Sequence, residues 1–168
     1  MFGDRFPKSI DFPISRIGKI GMKESDKILP LDVFSDDATM LWERFCNKSM
    51  VAVSRTSDYL NWRYVGKPGN NYIKMGFYRN DVLVGFIVYC LKAKHGGNIG
   101  YVMELIADPS DPNIGFQLLQ CANNYFIQNR ADLCLAWVLE HSPTYSQFKA
   151  NGFFNLPVSL RPIELNFG

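Results

Sequence analysis

The residues best suited to chemistry cluster between positions 99 and 151. Glu104 stands inside an apolar run, Ile99-Gly-Tyr-Val-Met-Glu-Leu-Ile-Ala107. A carboxylate among hydrophobic neighbours is a candidate general base. The run passes through Asp108-Pro-Ser-Asp-Pro112 into a helical pattern from Asn113 to Asn129. A strand that feeds a helix start through a tight loop can hold an anion, because the first turn offers unpaired N–H groups and the positive end of the macrodipole. Asp108 and Asp111 oppose that use. Two carboxylates repel a phosphate, and Pro112 brings no N–H. Asp111 also suits a helix cap. Further along, His141 and Tyr145 flank a short helix and offer a titratable imidazole and a phenol. Each also has a plainer reading, the one as a solvent-facing histidine, the other as a packing tyrosine.

The elements that must place these groups follow from periodicity. Residues 1–13 show no clear period and read as an irregular arm, with one domain over 14–168. Ile14–Ile20 and Ile28–Phe34 are compatible with a first strand. Ser35-Asp-Asp opens a helix, with Leu41 and Phe45 one turn apart on its buried face. Asp58–Tyr64 forms a second helix, stopped by Gly66 and Pro68. Tyr72–Arg79, Val82–Leu91 and Ile99–Ala107 alternate as strands, the first two joined by a tight turn at Asn80-Asp81. In the helix from Asn113 to Asn129, Ile114, Leu118, Cys121 and Tyr125 form one stripe. Asp132–Leu139 is a continuous apolar strand, expected to be central. Ser142–Asn151 is a short helix with Ser142 as cap and Pro143 at its first position. Phe153–Leu156 and Ser159–Phe167 close the chain as strands. The expected architecture is α+β: a mostly antiparallel twisted sheet of about six to seven strands with about four flanking helices.

Composition narrows the function classes. The 168 residues are 47% hydrophobic and 20% charged, with a net charge of +2. That is globular, and it lacks the basic excess of a nucleic-acid binder. No apolar run approaches the ~20 residues of a membrane span. Cys46, Cys90, Cys121 and Cys134 form no CxxC pair, so no metal site is expected. They read as reduced thiols of a cytoplasmic protein.

The order of elements from Leu31 to Phe167 resembles the GCN5-related N-acetyltransferase (GNAT) superfamily. Gly152-Phe153 after Tyr145-Ser-Gln-Phe-Lys-Ala-Asn resembles that family's terminal helix ending in Gly-Phe. Arg55-Thr-Ser-Asp-Tyr-Leu-Asn-Trp-Arg-Tyr64, with Pro68 and Tyr72, resembles one module of tandem-GNAT bacterial proteins. The resemblance implies an acyl-CoA-dependent N-acetyltransferase acting on a small-molecule or peptide amine, with acetyl-CoA as co-substrate. It places the donor between the strands at 101–107 and 132–139. The amides near Leu105, Ile106 and Ala107 would hold the thioester carbonyl. Ser110, Asn113, Ile114 and Gly115 would carry the phosphates. Glu104 would serve as base, with Tyr145 as acid or His141 as a second base. The family loop reads Gln/Arg-x-x-Gly-x-Gly/Ala, and Ser110-Asp-Pro-Asn-Ile-Gly115 matches it only at Gly115. The family's acidic tyrosine position holds Phe148. The alternatives are a GNAT-like module that binds a partner domain or substrate without coenzyme A, and a relative of aminoacyl-transferases. A partner GNAT-like module or a homodimer is compatible with either.

Overall fold

A computed structural model describes residues 22–46, 53–68, 71–94 and 96–156. The expected arm at 1–13, the strand piece Ile14–Ile20, His95 and the closing strand Ser159–Phe167 lie outside the described residues.

One mixed sheet organises the chain, with strand order β1-β2-β3-β4-β5. Its strands are β1 (Asp26–Pro30), β2 (Ile73–Arg79), β3 (Val82–Lys94), β4 (Gly97–Ala107) and β5 (Leu133–Ala136). Neighbours from β1 to β4 are antiparallel, and β4 and β5 are parallel. Four helices flank the sheet: α1 (Asp36–Cys46), α2 (Ser57–Tyr64), α3 (Pro112–Gln128) and α4 (Tyr145–Ala150). Asn80 and Asp81 both adopt positive φ, 49° and 63°, in the turn between β2 and β3. That is the geometry a two-residue hairpin needs to match the strand twist, and Asn and Asp accept it readily.

Alternation along the strands splits the core into two layers. Leu83, Phe86, Val88 and Ile106 face α1 and α2, packing on Phe34, Leu41, Trp42, Phe45, Leu60 and Tyr64. Ile87, Tyr89, Val102, Leu105 and Ala107 face α3 and α4, packing on Ile114, Leu118, Leu119, Ala122, Phe126 and Phe148. Burying large side chains on both faces supplies the main driving force, about 1.5–3 kcal/mol for each. Gly85 and Gly100 let α3 lie close. A Cβ at Gly100 would stand 2.8–2.9 Å from the Phe126 ring, so the ring packs directly on the β4 backbone.

Several expectations are corrected. Five strands stand among the described residues where six to seven were expected. β5 has only four residues, and it ends the order of described strands instead of lying centrally. Phe153–Leu156 forms no strand. Phe148 N···O contacts explain this: its carbonyl accepts from the Phe153 N–H at 3.0 Å, which turns the chain back over the helix end. α4 starts at Tyr145, with Thr144 at the cap position and no side-chain cap bond. Ser142 instead shares a hydrogen bond with Thr144, Oγ to Oγ1 at 3.0 Å.

Candidate functional site

Glu104 owes its position to an irregularity in β4. The β3–β4 register pairs Val88 with Glu104 but Tyr89 with Val102, so Met103 is an extra residue, a β-bulge. A bulge turns two successive side chains toward the same side. Met103 packs with the α1/α2 layer, and Glu104 reaches Tyr64 of that layer. Simple alternation would give Glu104 the face of Val102 and Ile106. Ile106 shares it, whereas Val102 lies in the α3/α4 layer.

The carboxylate is held from two directions. Tyr64 donates its O–H to Oε1 at 2.9 Å, and Arg55 donates Nε–H to Oε2 at 3.3 Å. The side chain is 9% exposed, so the charge is balanced mainly by Arg55. Arg55 is itself steadied over the Trp42 ring at 5.5 Å and by donation to the Val53 carbonyl. Arg63 donates Nε–H to the Tyr64 oxygen at 3.0 Å. Burial, followed by the nearby Glu104 charge, pushes the Tyr64 phenol far above its usual range. Tyr64 therefore stays a neutral donor to Glu104. A carboxylate offers about four acceptor sites. With two in use, Glu104 retains acceptor capacity.

The pairing of β4 with β5 stops beside this carboxylate. β4 and β5 pair from Ile99↔Leu133 to Val102↔Ala136, where β5 ends, while β4 runs on to Ala107. Which amides face away from β3 follows from parity. The Asp108 N–H bonds the Val84 carbonyl at 2.8 Å. Directly opposed antiparallel residues alternate between bonded and unbonded pairs. Ile106 and Glu104 thus pair with β3, while the N–H groups of the buried Leu105 and Ala107 turn away from it, to the side on which β5 has ended. The Ile106 amide, expected among the donors to a thioester carbonyl, faces the other way.

The loop from Asp108 to Ile114 differs from an anion cradle. Five of its residues have an N–H, and all five are taken. Asp108 bonds Val84, Asp111 bonds the Asp108 carbonyl at 3.2 Å, and Ile114 bonds the Asp111 carbonyl at 3.2 Å. Ser110 bonds Asp108 Oδ1 at 2.9 Å, and Asn113 bonds Asp111 Oδ1 at 3.0 Å as the α3 cap. Pro109 and Pro112 have none to give. The carboxylates point into the fold's own cations. Asp111 Oδ2 accepts from Arg79 at 2.8 Å, and Asp108 Oδ2 lies 3.7 Å from Arg44 Nε. Arg79 also grips Asp26 with two bonds, 2.8 and 3.0 Å. Both loop carboxylates are thus engaged by arginines of α1 and β2. Gly115, the one residue that matches the family loop, is filled as well: a Cβ there would collide with the Gln147 side-chain amide. Its hydrogen lets α4 approach α3. Ser110, Asn113, Ile114 and Gly115 are therefore brought together, but as a closed turn.

His141 is exposed, in the turn before α4. The Tyr145 O–H donates to Asn155 Oδ1 at 3.1 Å, with Lys149 Nζ 5.9 Å from its ring. α4 packs on α3, across the sheet from α1 and α2, and neither side chain bonds Glu104. Phe148 is buried against Phe153. From sequence, Glu104 also reads as a strand-edge carboxylate or one paired with an arginine, but neither Arg55 nor Tyr64 could be named as its partner. Both lie in a segment whose aromatic and basic character was visible, but a contact 40 or 49 residues away leaves no local signal. Among the described residues no helix is long and apolar enough to cross a membrane.

No protein-family model matches the chain, and no curated protein matches its sequence. Solved structures do resemble it. A glucosamine-6-phosphate N-acetyltransferase from Arabidopsis thaliana superposes with a TM-score of 0.60 at 13% identity, covering 86% of this chain and 100% of that one. An integron cassette protein from the mobile metagenome of V. cholerae gives 0.61 at 16% identity, over 87% and 94%. An aminoglycoside acetyltransferase from an uncultured soil metagenomic sample, in complex with sisomicin, gives 0.57 at 12% identity, over 86% and 97%. With the antiparallel meander, the bulged β4, the parallel β5 and α3 leading from one to the other, this chain has the fold of the GCN5-related N-acetyltransferases.

Proposed function

We propose that the protein is an N-acyltransferase that moves an acetyl or other short acyl group from a thioester to an amine. The observation that carries this reading is the end of β4–β5 pairing at Val102↔Ala136, one residue before the bulge that presents Glu104. It puts unpaired strand amides and a held carboxylate side by side. The structural neighbours include acetyltransferases of an amino-sugar phosphate and of aminoglycosides, which supports an amine on a small polar molecule as acceptor.

The donor supplies an activated carbonyl and a thiol leaving group. The Leu105 and Ala107 N–H groups orient that carbonyl and stabilise the negative charge that grows on its oxygen. Glu104 accepts the proton of the incoming ammonium, directly or through one water, because only the free amine attacks. The N–C bond forms, the nitrogen gives up its second proton to water, the C–S bond breaks, and the departing thiolate takes a proton from water, since Phe148 has none to give. Tyr64 and Arg55 keep the Glu104 carboxylate from rotating away.

Calorimetric titration with acetyl-CoA, followed by thiol release with a panel of amino sugars, polyamines and peptide amines, tests the reading. Binding and amine-dependent release are expected. Absence of binding at millimolar acetyl-CoA contradicts it. The closed loop at 108–114 favours one second reading, a GNAT-like module that docks on a partner without this chemistry. No binding of acetyl-CoA, and no thiol release with any amine, is what that reading expects.

A further inference from the structure

We infer that this chain selects its acyl donor by the pantetheine thioester and not by the nucleotide phosphates. The inference rests on the acyltransferase reading and sharpens its donor specificity. Each of the five N–H groups between Asp108 and Ile114 already has an acceptor inside the fold. A hydrogen-bond donor that is already satisfied gains little by exchanging one acceptor for another.

The acceptors in question are also anchored. Asp108 Oδ1 takes both the N–H and the O–H of Ser110, at 2.9 and 2.6 Å. Asp111 joins the α3 cap to Arg79, and Arg79 joins Asp111 to Asp26, whose side chain is 2% exposed. Admitting a diphosphate would require both carboxylates to release their donors and swing out. Arg79 already spends three of its five N–H donors on Asp26 and Asp111. Gly115 offers no room, because Gln147 occupies the space in front of it.

The strand end has the opposite character. β4 continues past its last β5 partner, and its N–H groups at Leu105 and Ala107, turned away from β3 on buried residues, have no strand partner on that side; an extended chain of amides can pair with such a strand end. A pantetheine arm is such a chain. Its thioester end would lie beside Glu104, and the nucleotide would trail past the closed loop.

Parallel titrations of the whole chain with acetyl-CoA and acetyl-pantetheine test this. Dissociation constants within about tenfold of each other are expected. Acetyl-CoA binding more than about tenfold tighter overturns the inference and leaves the acyltransferase reading standing. Binding of neither overturns both. A second comparison uses Asp111→Asn, which keeps a capping side chain on Asn113 while removing one negative charge and freeing an Arg79 N–H. Acetyl-CoA should then bind several-fold tighter, with acetyl-pantetheine unchanged. An equal effect on both donors, or none on acetyl-CoA, counts against a carboxylate barrier to the nucleotide.

Discussion

Glu104→Gln is expected to lower the turnover of acyl transfer by about 10²–10⁴-fold, the usual contribution of a positioned general base. Donor affinity should change by no more than about twofold. The substitution isolates one property. Gln has the same length, and its amide oxygen can still accept from the Tyr64 O–H that now reaches Oε1 at 2.9 Å. It cannot hold a proton taken from an ammonium. Arg55 loses its ionic partner but keeps its place over Trp42 and its bond to the Val53 carbonyl. The Leu105 and Ala107 amides belong to the backbone and are untouched. Initial rates across acceptor concentrations should show the loss in kcat. Unchanged turnover removes Glu104 from the mechanism and makes its contact with Arg55 a purely structural ion pair.

Arg79→Met should cost about 2–4 kcal/mol in unfolding free energy, below the upper range for breaking a buried pair because Arg79 is partly exposed. Met fills similar volume and removes the cation. Asp26, 2% exposed, then keeps, among the described residues, only the Lys23 N–H at 3.1 Å as a bond to its carboxylate, and Asp111 loses the guanidinium that steadies the α3 cap. One side chain ties β1, the end of β2 and the start of α3 together, so the loss should appear as a cooperative shift in urea midpoint.

The pH dependence of that stabilisation has a definite sign. The Arg79 hydrogen bonds hold the Asp26 carboxyl below its ordinary value of 3.8. A group with a depressed folded value contributes stability that is fully present above the unfolded value and is lost as pH falls through the folded one. The wild-type chain should therefore lose this contribution only below about pH 4, and Arg79→Met should lack it throughout. A loss under about 0.5 kcal/mol at neutral pH would place the Arg79 cluster with surface pairs that contribute little.

Much of the fold is legible in the sequence because its elements carry local signals. The Asn80-Asp81 turn, the period-two runs on either side and the Ile114–Tyr125 stripe each depend on residues within one or two turns of each other. Asp111 as the α3 cap could be read for the same reason. What was misread depends on longer range or on a broken period. The Met103 bulge is invisible in an alternating pattern, and it decides which layer Glu104 joins. The apolar run at 132–139 suggested a long central strand, yet only Leu133–Ala136 pairs, since apolar residues alone do not report where a neighbour stops. The aspartates posed the sharpest question. Sequence shows that Asp108 and Asp111 are wrong for phosphate, but only the structure shows Arg44 and Arg79 waiting for them. Those arginines come from α1 and β2, 64 and 32 positions away. The single loop glycine matches the family pattern in sequence, whereas in the fold Gln147 of α4 fills the space beside it.

The most direct test of the account follows backbone amide resonances while acetyl-pantetheine is added to the ¹⁵N-labelled chain. Leu105 and Ala107 should shift and gain protection from exchange, because their N–H groups turn to the side on which β5 pairing has ended at Val102↔Ala136, while Ser110, Asn113, Ile114 and Gly115 should stay in place. Shifts centred on 110–115 with Leu105 and Ala107 unmoved would contradict it.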